Sequence, residues 1–165
     1  MERKSTESGF TLIELIVVIV IVGIISYATV ASYTSSYTVV QYDSMTRKIT
    51  NDVNYARELA ATGSQGTRVH IDTENNRYYL TYADGSSIPN PIQGGDYAIQ
   101  LGTGQFKDVQ ITGTAFSGGR LDFNKVGTPS NAGASFSGSL ELVTLNGKRR
   151  ITIAANTGFL KIEHL

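Results

Sequence analysis

The chain has 165 residues, enough for one domain or for one domain with an appendage. Its 14 lysine and arginine residues are balanced by 14 acidic residues, so a protein that binds nucleic acid through bulk positive charge is disfavoured. The absence of cysteine excludes disulfide bonds, thiolate metal sites, iron–sulfur clusters and a cysteine nucleophile. A charged fraction of only 17%, together with 17 glycines, is more typical of an exported β-rich protein than of a cytosolic enzyme.

An apolar segment near the N-terminus, residues 10–31, contains one charged residue, Glu14, and no proline. As an α-helix this segment would be about 33 Å long, close to the ~30 Å hydrocarbon core of a bilayer. No other segment of the sequence is apolar over a comparable length. The sequence therefore predicts one membrane-spanning helix at the N-terminus.

Three interpretations of this segment compete: a cleaved secretory signal peptide, a plain single-span anchor, or a segment processed at the polar-to-apolar boundary, where Gly9 precedes Phe10. Glu14 discriminates between these interpretations, because an unpaired carboxylate in an apolar helix is costly in a bilayer. Neither a signal peptide nor a plain anchor requires a carboxylate at this position. Cleavage after Gly9 would create a free amine on Phe10, on the same helical face as Glu14. Glu14 would then pair with that amine within one subunit or between neighbours. The alternative is a Glu14 side chain solvated at the membrane interface.

The run Gly9-Phe10-Thr11-Leu12-Ile13-Glu14-Leu15, followed by unbroken aliphatic sequence, resembles the class III leader of type IV pilins and type II secretion pseudopilins. The resemblance implies that residues 1–9 are a prepilin leader peptide. A prepilin peptidase would cut between Gly9 and Phe10 and methylate the new N-terminus at Phe10. Glu14 would guide assembly by pairing with the terminal amine of an adjacent subunit. Residues 10–31 would cross the inner membrane once, with residues 32–165 in the periplasm, or outside the cell in a filament.

The helix is predicted to continue beyond the membrane, because residues 32–62 contain neither proline nor glycine and Gly63 provides a C-cap. Its apolar residues recur at spacings of three and four and form one stripe: Tyr42, Met45, Ile49, Val53, Ala56 and Ala60. The charged residues lie largely off this stripe: Asp43, Arg47, Lys48, Asp52, Arg57 and Glu58. This half of the helix therefore needs a sheet to cover one of its faces.

After Gly66 the period changes to two, which predicts about seven or eight short strands. Two hairpins are indicated, one around residues 74–76 and one at the favoured turn Asn146-Gly147. Further strands are predicted at residues 97–101, 109–112, 120–123 and 159–163, a turn at 156–158, and loops at 84–95 and 127–138. The predicted fold class is α+β: a long N-terminal α-helix, half in the membrane and half amphipathic, packed on an antiparallel sheet in a single pilin-like domain.

Three short segments resemble the GspH/FimT branch of the pilin family: the helix end at Ala56-Arg57, the stretch from Phe123 to Gly127, and the closing strands with Thr157-Gly158 between them. The resemblance implies a minor pseudopilin of the type II secretion pseudopilus, which contacts other pilin or pseudopilin subunits through its N-terminal helix. Within the family, a minor pilin of a type IV pilus, including a role in DNA uptake, is the alternative. Outside it, the alternative is a membrane-anchored β-domain that binds a ligand without assembling.

Candidate chemistry elsewhere in the chain is sparse. His70 and His164 are the only histidines, and His70 with Asp72 supplies too few ligands for a metal site. No Gly-x-Ser-x-Gly motif or phosphate-binding loop occurs, so we expect a non-enzymatic protein without a cofactor or a metal. The basic run Lys148-Arg149-Arg150 is interpreted as a solvated turn that discourages edge aggregation. The alternative is a patch that contacts the phosphates of DNA.

Overall fold

The computed structural model describes residues 9–131, 134–135, 138–144, 147–155 and 157–165. It contains one long α-helix, α1 (Leu12–Thr62), and ten strands. The strands are β1 (Thr67–Asp72), β2 (Arg77–Tyr82), β3 (Ala98–Gln100), β4 (Gln110–Thr114), β5 (Arg120–Phe123), β6 (Pro129–Asn131), β7 (Ala134–Ser135), β8 (Gly138–Thr144), β9 (Gly147–Ile153) and β10 (Leu160–His164). Residues 1–8 of the predicted leader and the predicted turn residues Asn146 and Asn156 lie outside the described residues.

The chain divides into two compact units, Met1–Tyr37 and Thr38–Leu165. In the second unit the amphipathic half of α1 buries the whole predicted stripe: Tyr42, Met45, Ile49, Val53, Ala56 and Ala60. One residue that was expected to lie off the stripe, Asp52, is also buried, with 5% of its surface exposed. That expectation was wrong because Asp52 is three residues after Ile49 and next to Val53, and hydroxyl groups from the sheet cover it.

The strands form two antiparallel sheets, one of six strands in the order β3-β2-β1-β5-β6-β7 and one of four in the order β10-β9-β8-β4. The hairpins β1–β2 and β8–β9 confirm the predicted pairings. The sequence pattern predicted about seven or eight strands, fewer than the ten observed, and it did not indicate that they form two sheets. Residues 127–138, predicted as a loop, contain β6, β7 and the first residue of β8. The reason is that β5 offers an edge on which Ser130 pairs with Asp122 and Pro129 with Phe123, a contact that local sequence does not reveal.

A single hydrophobic core lies between the helix stripe and the inward faces of both sheets. Alternate residues of the strands point into it, including Val69 and Ile71 of β1, Leu121 and Phe123 of β5, and Ile151 and Ile153 of β9. This arrangement is the predicted α+β fold, a long N-terminal helix combined with antiparallel sheet. The opposite faces of the sheets carry polar side chains, including His70 and Asp72 of β1 and Asp122 of β5.

Candidate functional site

The first half of α1 presents an apolar surface that is exposed over residues 12–29. Leu12–Thr29 has a mean hydropathy of 2.6 and is the one segment of the described chain that could cross a membrane by length and composition. Its side chains are exposed, including Phe10 just before the helix and Leu12 at its first turn. A contiguous apolar surface of this size indicates contact with a membrane or with other proteins. The segment therefore supports single-pass membrane anchoring.

The start of α1 is closed by a reciprocal capping box between Thr11 and Glu14. The backbone N–H and the hydroxyl of Thr11 both donate to Glu14 Oε2 at 2.9 Å, and the backbone N–H of Glu14 donates to Thr11 Oγ1 at 3.3 Å. This box was not among the predictions made from the sequence, although a threonine followed three residues later by a glutamate signals it. Gly9 and Phe10 precede the helix, in exposed non-helical backbone, so the predicted cleavage bond is accessible.

The basic run does not form one patch. Arg149 turns toward α1, where it makes an ion pair with Asp43, and its guanidinium carbon lies 4.6 Å from the centroid of the Tyr42 ring. Because side chains alternate along a strand, Lys148 and Arg150 are directed to the opposite face of β9. The predicted patch of three adjacent cations is therefore split. Arg149 acts as a contact between strand and helix, and Lys148 is exposed.

A buried polar cluster centred on Asp52 ties α1 to the six-stranded sheet. Its carboxylate accepts hydrogen bonds from the hydroxyl of Tyr78 at 2.5 Å and the hydroxyl of Tyr97 at 2.8 Å, and Lys48 Nζ lies 3.0 Å away. Burial, reinforced by the neighbouring carboxylate, raises the pKa of both phenols, so they stay protonated and act as donors. Tyr55 stacks on the Tyr97 ring with 5.7 Å between centroids. No local sequence pattern reveals this cluster, because its members come from separate elements of the fold.

The three segments that resemble the GspH/FimT branch meet at Arg57. Its Nη1 donates a hydrogen bond to the carbonyl oxygen of Thr157 at 3.1 Å. The side-chain stem lies against Gly127 and Gly158, where a Cβ atom would approach within 3.2 Å and 3.0 Å of it, respectively. Both glycines have positive φ, 76° and 68°. The turns after β5 and after β9 thus dock on the same helical residue, which explains why glycines occur at these two positions.

His70 lies on the outer face of the six-stranded sheet. Its Nε2 is 3.0 Å from Thr81 Oγ1, and its ring stacks on Tyr79 with 4.5 Å between centroids. Partial burial, followed by the charges of Arg68 and Arg120, lowers the pKa of His70. Among the described residues no group of three or more histidine, aspartate or glutamate side chains could hold a metal ion, and His164 is exposed in β10.

Comparison with known proteins connects these features. Residues 4–26 match the prokaryotic N-terminal methylation motif. A search of curated proteins finds no significant match. The crystal structure of the type IV minor pilin FimU from Pseudomonas aeruginosa aligns over 73% of this chain and 91% of its own, with 14% identity and a TM-score of 0.51. A second crystal form of FimU gives 16% identity, 73% and 87% coverage and a TM-score of 0.51.

The minor pseudopilin EpsH from the type 2 secretion system of Vibrio cholerae aligns over 72% of this chain and 92% of its own, with 15% identity and a TM-score of 0.52. At such identities the likeness shows a common fold. The N-terminal methylation motif and the pilin-like fold together support membership of the type IV pilin and pseudopilin family.

Proposed function

We propose that this protein is a minor pseudopilin of the GspH/FimT type, a structural subunit of the type II secretion pseudopilus that takes part in protein export and has no enzymatic activity. One observation carries the proposal: an accessible Gly9-Phe10 junction leads into a capped, exposed apolar helix that continues into a pilin-like domain. The convergence of the three GspH/FimT-like segments on Arg57 adds support for the branch.

In this proposal a prepilin peptidase removes residues 1–9 and methylates the new N-terminus at Phe10. Residues 10–31 then hold the subunit in the inner membrane, and residues 32–165 lie in the periplasm or in the filament. The apolar surface of the first half of α1 is buried first in lipid and then against the helices of other pilin or pseudopilin subunits. Both environments suit this segment, because its side chains are mostly apolar and the backbone groups within the helix are hydrogen-bonded to one another.

Glu14 is the assembly residue in this proposal. Both hydrogen bonds from Thr11 go to Oε2, so within the described chain Oε1 has no hydrogen-bond partner. That oxygen remains for the amine on Phe10 of an adjacent subunit. The low dielectric between packed helices strengthens such a pair relative to water. The hydrogen bonds of the capping box hold the Glu14 carboxylate in place before an adjacent subunit binds.

The alternative within the family is a minor pilin of a type IV pilus, and the similarity to FimU favours it as much as the similarity to EpsH favours the pseudopilus. Deletion of the gene discriminates between the two: loss of protein secretion supports the pseudopilus, whereas loss of surface pili with normal secretion supports the pilus. If secretion and piliation are both unaffected and purified filaments lack the chain, the remaining alternative is a membrane-anchored β-domain that does not assemble.

Processing is tested directly by co-expression with a prepilin peptidase and measurement of the intact mass. We expect loss of residues 1–9 and addition of one methyl group at Phe10. Replacing Gly9 with Val should block cleavage, while the matched variant Gly23→Ala, within the apolar helix, should be processed normally. A product cut near Ala31 would support a secretory signal peptide, and an uncut chain would support a plain anchor.

A further inference from the structure

A cleft of about 340 Å³ opens on the outer face of the six-stranded sheet, beside the turn between β1 and β2. This volume lies within the range of small-molecule sites in proteins. Its polar side chains come from β1, β2, β4 and the turn between β1 and β2: His70, Asp72, Thr73, Glu74, Tyr79 and Thr114. It is far from the apolar helix in sequence, and subunit assembly through that helix does not use it.

Most polar groups in the cleft are free to bind a ligand. Asp72 is the exception, because its carboxylate already accepts hydrogen bonds from the backbone and side chain of Asn75 and from Arg77 Nε. Within the described part of the chain, no hydrogen bond is made by the Glu74 carboxylate, the Thr73 hydroxyl or the Tyr79 hydroxyl. These groups, exposed or partly exposed to solvent, include both donors and acceptors that a ligand can reach.

Two further groups extend this set. Thr114 Oγ1 accepts a hydrogen bond from the backbone N–H of Phe116 at 3.1 Å, so its O–H can still donate. The imidazole of His70 uses Nε2 with Thr81, which leaves Nδ1 for a ligand. Its stacking on Tyr79 fixes the ring orientation. Because burial lowers its pKa, the ring is neutral at neutral pH and can accept or donate a hydrogen bond.

One wall of the cleft is made of backbone. Gly118 and Gly119 have φ of 64° and 65°, and Gly119 packs directly on the carbonyl oxygen of Ile71. A Cβ atom on Gly118 would meet no atom within 4 Å, so the space in front of it is open. The absence of side chains on this wall keeps the cleft wide enough for a ring-shaped ligand.

We infer that this cleft binds a saccharide, a neutral or N-acetylated sugar unit. Each sugar hydroxyl is both donor and acceptor, which suits a carboxylate, three hydroxyl groups and one imidazole nitrogen. The nearby cations are already paired, Arg77 with Asp72 at 2.9 Å and both Arg68 and Arg120, whose charges act on His70, with Asp122 at 3.4 and 3.1 Å, so a phosphate gains little there. The described residues also lack a cluster of three metal ligands at this place. In the bound state Glu74 accepts from sugar hydroxyls, and Tyr79 and Thr73 donate to sugar oxygens.

The test is an NMR titration of the full-length protein in detergent micelles, which follows the ring signals of His70. The probes are glucose and N-acetylglucosamine, with inorganic phosphate and tetramethylammonium as the competing ligand classes. We expect either sugar to shift the His70 signals saturably. The double variant Glu74→Ala/Tyr79→Phe should weaken binding by about tenfold or more, because it removes hydrogen bonds that include one to a charged group. The matched control is Glu58→Ala/Tyr82→Phe, which changes the same residue types away from the cleft.

A second variant tests the position of the site without removing any polar group. Gly118→Asn adds a side chain to the open space, and asparagine tolerates positive φ. It should abolish sugar binding, while the control Gly94→Asn, at φ 72° in another loop, should bind like wild type. The inference is overturned if neither sugar shifts His70 up to its solubility limit, if only phosphate or tetramethylammonium does, or if the cleft variants bind sugar as well as their controls.

Discussion

Replacing Tyr78 with Phe isolates one hydrogen bond of the buried Asp52 cluster. Tyr78 has only 1% of its surface exposed, and its hydroxyl donates to the Asp52 carboxylate at 2.5 Å. Phenylalanine keeps the ring and therefore leaves no cavity of the kind that truncation to alanine creates. The free energy of unfolding should then change almost entirely through the lost donor.

The expected magnitude follows from the charge on the acceptor. A hydrogen bond to an ionised group contributes about 1.5–3 kcal/mol, and here water cannot replace the lost donor. Asp52 keeps Tyr97 at 2.8 Å and Lys48 at 3.0 Å, so the carboxylate is not left entirely unpaired. We therefore expect a loss of about 2 kcal/mol, which for a domain of this size lowers the melting temperature by roughly 5–10 °C. Removing Asp52 itself should cost more, about 3–5 kcal/mol, because it leaves two buried hydroxyl groups without an acceptor and the half-buried Lys48 without its partner.

Urea unfolding of residues 32–165, followed by circular dichroism, measures the effect. Tyr55→Phe is the matched control, because Tyr55 stacks on Tyr97 but its hydroxyl makes no hydrogen bond within the described residues. That variant should stay within about 0.5 kcal/mol of wild type. Tyr78→Phe and Tyr97→Phe should be non-additive, since both hydroxyls bind one carboxylate. Equal unfolding midpoints for Tyr78→Phe and Tyr55→Phe would refute a stabilising role for the cluster.

Three further predictions concern assembly, domain autonomy and pH. Glu14→Leu should insert in the membrane and be cleaved like wild type but incorporate poorly into filaments, and Glu14→Gln should also assemble weakly. The measurement is the ratio of filament-associated to membrane-retained protein for each variant. If Glu14→Leu incorporates as well as wild type, Glu14 has no role in assembly and is a solvated residue at the membrane interface. A chain that lacks residues 1–31 should be soluble and monomeric, and a circular dichroism spectrum dominated by helix would contradict the fold. Folding lowers the pKa of His70 below the ordinary histidine value of 6.5. As the pH falls, the unfolded chain therefore binds more protons than the folded chain does. The free energy of unfolding should decrease as the pH drops from about 7.5 to about 5.5. A His70→Gln variant should lose that part of the decline, and an identical decline in both proteins would show that other groups cause it.

Local pattern was sufficient for much of the architecture. The apolar run with Glu14 at its start predicted the membrane helix, and spacings of three and four predicted which residues of α1 are buried, from Tyr42 to Ala60. Alternation around residues 74–76 predicted the β1–β2 hairpin. These features depend on neighbours within a few positions, so periodicity and turn chemistry encode them directly.

The same local information covers part of the candidate assembly site. The roles predicted for Gly9, Phe10 and Glu14 depend only on their order at the boundary between polar and apolar sequence. The capping box between Thr11 and Glu14 was also present in the sequence as a spacing of three, and it needed only the recognition that the helix begins there.

Tertiary contacts decided the rest. Asp52 is buried because Tyr78 and Tyr97, distant in sequence, bring hydroxyl groups to it, and the helical pattern alone places an aspartate at that position in solvent. The Arg149 side chain points away from those of Lys148 and Arg150 because it contacts Asp43 and Tyr42 of α1. The strands β6 and β7 exist because β5 offers an edge to pair with, while their own glycine- and serine-rich sequence favours a loop. Long-range pairing supplies the free energy in each case, and it outweighs local preferences of a few tenths of a kcal/mol to about 1 kcal/mol per residue.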